Sequence, residues 1–252
     1  MRIHYLRNAT LLIEWNNKKI LVDPMLGVKD SLDTVPNAAN SIRNPMTDLP
    51  LDDDALKQLL SSLDAILVTH RHRDHWDVTA QAILPKSIPL FCQPEDEAVI
   101  REQAFTQVMP VVTSVSWENI EITRTGGQHG TGEIGKMMAP VSGFVLKEGN
   151  TTLYIAGDTI WCEEVVAALD TFRPDYVVVN AGAAQFLQGD HITMTAADVI
   201  KTIRHSTRSK VIAVHMGAIN HCFLSREALR AAVAAEQLSA IIPEQGEWIT
   251  LL

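Results

Sequence analysis

Six consecutive positions, His70-Arg71-His72-Arg73-Asp74-His75, hold three histidines and an aspartate. The chain has nine histidines among 252 residues, so this density is far above an even spread. Imidazole nitrogen and carboxylate oxygen are the usual protein ligands for zinc and similar divalent ions. His70 and His72 are two apart, so along an extended segment they project to the same side. Asp74 and His75 follow at a turn. Neighbouring side chains diverge, which makes four ligands on one ion a poor fit and two on each of two adjacent ions a better one.

Two ions need further ligands, and three polar residues stand where they could supply them. His129 lies in the glycine-rich segment "GGQHGTGEIGKMMAP", Asp158 ends "YIAGD", and His215 ends "VIAVH". A polar residue closing a buried apolar run is held rigidly at a sheet edge. Asp23 also closes such a run, beside Pro24, where turn chemistry alone would explain it. His191, in "GDHITMT", precedes a helix expected to be capped by Thr195. A helix N-terminus attracts anions, so His191 is placed to contact substrate or act as an acid. His221 lies six residues after His215, across a loop containing Gly217, and is a candidate for lining a pocket. Met137-Met138 and Trp161 could form its walls, although such residues more often pack a core.

The elements that must position these groups can be read from pattern and punctuation. "ATLLIEW" and "KKILVDP" form a hairpin around Asn16-Asn17, a pair tolerant of positive φ. A long loop runs from Leu26 to Asp54, followed by a helix in "LDDDALKQLLSSL" with acidic residues at its N-terminus. "DAILVTH" is a buried strand, "WDVTAQAIL" a helix, "IPLFC" a strand and "PEDEAVIREQA" a helix. "VMPVVTSV" and "ENIEITRT" are strands, and the glycine-rich segment after them is a loop. A second hairpin turns at Gly149-Asn150 within "GFVLKEGNTTLYIAGDT" and again ends on an aspartate. A helix ("VVAALDTF"), a strand ("DYVVVNAG"), a helix ("TAADVIKTIRHS"), a strand ("KVIAVHMG") and a helix ("SREALRAAVAAEQ") follow. "SAIIPEQGEWITLL" reads as two short strands. Hairpin–aspartate, helix, strand–polar thus occurs twice, which implies an α/β protein of two similar halves presenting strand ends to one shared edge.

A net charge of −9 repels phosphate backbones, so no nucleic-acid partner is expected. Cys92, Cys162 and Cys222 are odd in number and scattered, as in a reducing compartment. The N-terminus lacks a signal-peptide pattern and no apolar run reaches membrane-span length. The expectation is a cytoplasmic protein with a small-molecule substrate, no membrane partner, and a homo-oligomer compatible with the sequence.

"HRHRDH" fits the HxHxDH signature of the metallo-β-lactamase superfamily, and His129, Asp158 and His215 follow in that family's order. With the Asp23-Pro24 and "GDHITMTAADVI" segments, nearly the whole chain resembles the branch of small cytoplasmic metal-dependent hydrolases that includes ascorbate-6-phosphate lactonase-like proteins. The resemblance implies a four-layer αββα sandwich forming one domain over 1–252, and two divalent metal ions. Zinc is the first expectation, with manganese, iron or nickel also compatible with such ligands. It implies that His70, His72 and His129 bind one ion, that Asp74, His75 and His215 bind the other, and that Asp158 bridges them. Asp23 would orient a ligating histidine, Asp74 and His191 would take part in the reaction, and His221 would lie behind the ligands or against substrate. A hydroxide between the ions would attack a small ester, lactone or phosphoester. The alternative is a phosphodiesterase or nuclease on the same dinuclear site, which would require a basic groove. Asp74 stands where the commonest β-lactamases carry cysteine, so antibiotic hydrolysis is not expected. Asn8 stands where related hydrolases often have a histidine, so a contact near the site is expected to differ.

Overall fold

The computed structural model describes residues 1–251. Two sheets face each other. The first contains β1 (Arg2–Arg7), β2 (Thr10–Trp15), β3 (Lys18–Val22), β4 (Ala65–Val68), β5 (Leu90–Cys92), β6 (Val108–Pro110) and β13 (Trp248–Thr250), in the order β13-β1-β2-β3-β4-β5-β6. The second contains β7 (Ser114–Trp117), β8 (Ile120–Thr125), β9 (Gly143–Glu148), β10 (Thr151–Ile155), β11 (Tyr176–Asn180) and β12 (Lys210–Val214), in the order β12-β11-β10-β9-β8-β7. The expected halves are visible in the pairing. Each begins with antiparallel strands (β1-β2-β3 and β7-β8-β9-β10) and continues in parallel ones (β3-β4-β5-β6 and β10-β11-β12).

The four layers follow from side-chain alternation. Ile20, Val22, Ala65 and Leu67 of the first sheet meet Leu153, Ile155, Val178, Ile212 and Val214 of the second in one inner core. The intervening residues point outward and are covered by helices, as strands buried on both faces require. Leu21, Ile66 and Val68 pack under α1 (Asp53–Ser61), α2 (Val78–Ile83) and α3 (Glu97–Glu102). Tyr154, Val177, Val179, Val211 and Ala213 pack under α5 (Glu163–Phe172), α6 (Ala196–His205) and α7 (Arg226–Ala235).

Local chemistry sets the boundaries. Asn16 and Asn17 both take positive φ, 49° and 62°, in the β2–β3 turn, as a two-residue hairpin loop demands. Asp52, Asp77, Thr195 and Ser225 cap α1, α2, α6 and α7, each accepting a backbone N–H with its side chain.

Four expectations need correction. Strand β1, not anticipated, pairs with β2 and with β13. The single run "VMPVVTSV" is two strands in different sheets. It breaks after Pro110, which has no N–H to extend a ladder, and buried Val111 crosses into the inner core. The glycine-rich loop contains a helix, α4 (Gly132–Met138). At the C-terminus only β13 is a strand; Ile241 makes a single bridge to Ile212. The last residue of that expected pair, Leu252, lies outside the described residues.

Candidate metal centre

The polar residues gather where the parallel strands end. Asp23 follows β3, Thr69 and His70 follow β4, Asp158 follows β10, Asn180 closes β11, and His215 follows β12. Gly157, before Asp158, has φ of 70°, and a Cβ there would lie 2.5 Å from the Ser142 carbonyl oxygen. Only glycine allows the chain to turn Asp158 into the site at that point. His129 reaches in from the loop before α4.

Seven side chains converge as two groups whose candidate ligand atoms lie within 4.8 Å of one another. The first is His70, His72 and His129; the second is Asp74, His75, Asp158 and His215. His70 Nε2 lies 2.9 Å from His72 Nδ1, and His75 Nε2 lies 3.2 Å from His215 Nε2. Asp158 faces both groups. Its Oδ2 is 3.4 Å from His129 Nε2 and 3.3 Å from His75 Nε2, and its Oδ1 is 3.5 Å from His215 Nε2. Asp74 Oδ2 is 3.2 Å from His215 Nε2.

The hydrogen bonds behind the rings fix which nitrogen faces inward. His75 Nδ1 donates to Asp23 Oδ2 at 2.8 Å, and His129 Nδ1 donates to the Ile192 carbonyl at 2.7 Å. The Thr69 hydroxyl donates its only proton to Asp23 Oδ2 at 2.7 Å, so at 3.1 Å it accepts from His70 Nδ1. These three rings therefore present Nε2 to the cluster. Cys222 Sγ sits 3.5 Å from His215 Nδ1, in an equivalent position behind that ring rather than in packing alone. Asn8 donates to the Asp74 carbonyl and to Asp74 Oδ2, at 3.1 and 3.2 Å, and its own carbonyl accepts from His215 N–H. Asn8 thus braces two members of the cluster.

The two groups differ electrostatically. Burial, together with the neighbouring imidazoles His75 and His72, holds His70 well below the ordinary histidine range. Burial lowers His72 to about 4 and also lowers His129. Burial would likewise lower His75, but the Asp158, Asp74 and Asp23 carboxylates outweigh it and raise the ring to about 10. His215 is raised well above its usual value, with Asp158 the main opponent of burial. Asp74 and Asp158 resist burial in the same way and are held low by His75 and His215.

This donor set fits divalent metal ions. Contacts of 2.9–3.5 Å among the ring nitrogens and carboxylate oxygens match the spacing of adjacent ligands on an ion with bonds of about 2.0–2.1 Å. Five imidazoles and two carboxylates within such contacts, most of them buried away from water, are costly unless a cation or protons compensate them.

A cavity of about 320 Å³ opens over the cluster, lined by His72, Asp74, His129 and Asp158. Its outer wall is formed by Leu32, Val35, Pro36, Asn37 and Asn44 of the long loop, by Met137 and Met138 of α4, and by Phe186, Ile219 and His221. Asn220 clamps the loop, with its side chain accepting from Val35 N–H and Asn44 Nδ2.

His221 lines the cavity. It is buried, stacks on Phe186 at 5.8 Å, and its Nδ1 has no hydrogen-bond partner. His191 is not among the lining residues; its Nδ1 meets the Ala183 carbonyl at 3.1 Å. The expected anion site after it is also closed, because Asp198 caps the Thr195 backbone and places a carboxylate in the first turn of α6. Trp161 packs against the outer core beneath α5. Arg71 turns away to Asp96, at 3.1 Å, whereas Arg73 lines the cavity and donates to the Thr34 carbonyl. Asn180, which donates to Asp158 Oδ1 at 2.7 Å, was missed. Its signal is the one that marked Asp158 and His215, a polar residue closing a buried strand.

An αββα sandwich with these groups at the strand ends defines a metal-dependent hydrolase of the metallo-β-lactamase fold. A family model described as "Beta-lactamase superfamily domain" matches residues 18–216, and the chain belongs to that superfamily. UPF0173 protein YddR of Bacillus subtilis (strain 168) is 36% identical over 256 residues, covering 99% of this chain and 100% of the relative. Two solved structures, each 34% identical, cover 100% of this chain and 99% of their own. One is a possible metal-dependent hydrolase from Veillonella parvula DSM 2008, with a TM-score of 0.95. The other is an isothiocyanate hydrolase from Delia radicum gut bacteria, with a TM-score of 0.93. Among the described residues no helix is long and apolar enough to cross a membrane.

Proposed function

We propose that this hydrolase uses two divalent ions, zinc by first preference, to add water to a small uncharged electrophile with an apolar substituent. An isothiocyanate is the leading substrate class, with carboxyl esters and lactones next. The observation that carries this reading is the apolar cavity directly over two adjoining groups of ligand-type side chains. The full-length likeness to an isothiocyanate hydrolase supports the same substrate class.

His70, His72 and His129 would hold one ion, Asp74, His75 and His215 the other, and Asp158 would contact both. Bound there, the ions supply Lewis acidity that lowers the pKa of water and polarises the substrate. Asp23 and Thr69 keep the single proton of a neutral His75 or His70 ring on Nδ1, and Ile192 does so for His129, so that each could offer Nε2 to an ion. Asn8 steers Asp74, which would also take part in moving the proton of the attacking water. His221, rather than His191, is the imidazole beside the substrate; burial lowers it to about 4, so it is neutral at neutral pH. For an isothiocyanate the balance is R–N=C=S plus H₂O giving R–NH₂ and O=C=S, with both water protons ending on nitrogen.

A phosphodiester fits less well, because Arg73 is the sole Lys or Arg among the described lining residues and it is engaged by Thr34. The whole chain would act as one domain. The three unpaired thiols suit the cytoplasm.

Metal analysis combined with a panel of benzyl isothiocyanate, a γ-lactone, p-nitrophenyl acetate and bis-p-nitrophenyl phosphate tests the reading. About two ions per chain and highest kcat/KM on the isothiocyanate are expected. Preferential turnover of the phosphodiester would refute it.

A further inference from the structure

The cavity over the ligand cluster does not end at Phe186. A second hollow of about 390 Å³ adjoins it, and the two share Asn37, Met137, Met138 and Phe186 as a common wall. Adjoining along these four shared side chains, the two hollows together outline a trough, with the ligand cluster under the first. Beyond the shared wall the lining is Ile134, Leu187 and Gln188, so no charged side chain lines this far part.

Helix α4 explains why the surface is apolar. Ile134, Met137 and Met138 fall at i, i+3 and i+4, one face of a helix, yet no residue of α4 is buried. Met137 and Leu187 are 79% and 68% exposed. A helix packed on a core would bury this face. Here it faces a hollow that adjoins the cavity over the site, and clustered exposed apolar groups of this kind mark ligand positions. Methionine adapts to varied shapes, which suits a variable substituent better than a fixed polar group.

We propose that this second compartment binds the apolar substituent of the substrate, an alkyl or aryl group of several carbons, while the reacting head lies over the ligand cluster. The inference rests on the hydrolase reading above for the position of the head. A phosphorylated or sugar-like substituent is excluded as the occupant, since the second hollow offers no cation and only the amides of Asn37, in the shared wall, and Gln188.

The test uses the metal-loaded protein and unreactive N-alkylacetamides from methyl to hexyl, with binding followed by calorimetry. Affinity is expected to rise about threefold to fourfold for each methylene taken into the trough. Leu187→Asp and Met137→Asp alter exposed positions that the fold does not need, and each is expected to flatten that rise. In the same variants the ratio of kcat/KM for hexyl over methyl isothiocyanate is expected to fall at least tenfold. Undetectable binding of the hexyl member, affinity independent of chain length, or an unchanged rise in both variants would overturn the proposal. If the rise is present and is lost in the variants while no isothiocyanate is hydrolysed, the compartment stands and the substrate reading fails.

Discussion

Asp23→Asn tests whether the site depends on ring tautomers set from behind. Asp23 is almost fully buried and accepts three hydrogen bonds: from Thr69 N–H at Oδ1, and from the Thr69 hydroxyl and His75 Nδ1 at Oδ2. An amide has one acceptor atom where the carboxylate had two. If its oxygen stays with Thr69 N–H, its NH₂ faces His75 Nδ1, and the ring must move its proton to Nε2. The Thr69 hydroxyl must then accept from the NH₂ and is free to donate toward His70 Nδ1, which drives that ring the same way. Both inward nitrogens become protonated and cannot ligate. If the amide flips, two donors meet at Thr69 N–H in a dry site. A hydrogen bond to a charged group contributes about 1.5–3 kcal/mol, or about 10- to 150-fold, the range also found when partners behind ligands are removed. Asp23→Asn is therefore expected to weaken metal binding by about 10- to 100-fold, measured by competition with a chromophoric chelator. The scheme is refuted if the variant binds two ions within twofold of the wild-type affinity.

Four further outcomes follow from the same geometry. With His75 raised to about 10 and His215 also raised, filling the second group at pH 7.5 should release close to two protons, and filling the first group almost none; indicator dye in weak buffer reads both. Because His75 has a higher pKa folded than unfolded, its contribution to the metal-free protein is complete below about 6.5 and is lost as pH rises toward 10. Melting curves with chelator should therefore fall across that window, while those of the metal-loaded protein stay flat. His221→Phe keeps the stack on Phe186 but removes both ring nitrogens, so kcat/KM should drop about 2- to 12-fold, one neutral hydrogen bond, with metal content unchanged; an unaltered kcat/KM would remove His221 from substrate contact. Gly157→Ala forces a Cβ to 2.5 Å from the Ser142 carbonyl at positive φ, and should lower stability by at least ~1 kcal/mol and weaken metal binding, both visible in denaturant titrations with and without metal.

What could be read from the sequence and what could not divide along a physical line. His70, His72, Asp74 and His75 were legible from their density within six positions, and His129, Asp158 and His215 as polar side chains set in a glycine-rich segment or closing an apolar run; both signals are defined locally. Asp23 also closes such a run, but turn chemistry explained it equally well, and its role behind a histidine came only from the family resemblance. The substrate cavity was legible only in part: Met137, Met138 and His221 were candidates and do line it, but the rest of its walls come from segments distant in sequence. Leu32 and Val35 are held over the site by Asn220, almost two hundred residues away, and Phe186 meets Met137 only through the tertiary fold. His191 was favoured from local grammar, a histidine before a capped helix. That grammar was sound, since Thr195 does cap α6. The chain nevertheless uses the segment differently: the neighbouring Ile192 carbonyl holds His129, and the His191 ring is tied to Ala183. His221 was the weaker candidate by sequence, yet of the two it is the one that lines the cavity, because an irregular loop carries no period from which its direction can be inferred. The break of "VMPVVTSV" into two sheets has the same origin. Pattern and propensity specify that a residue is extended, whereas the sheet it joins is decided by the partner strands waiting on either side of the inner core.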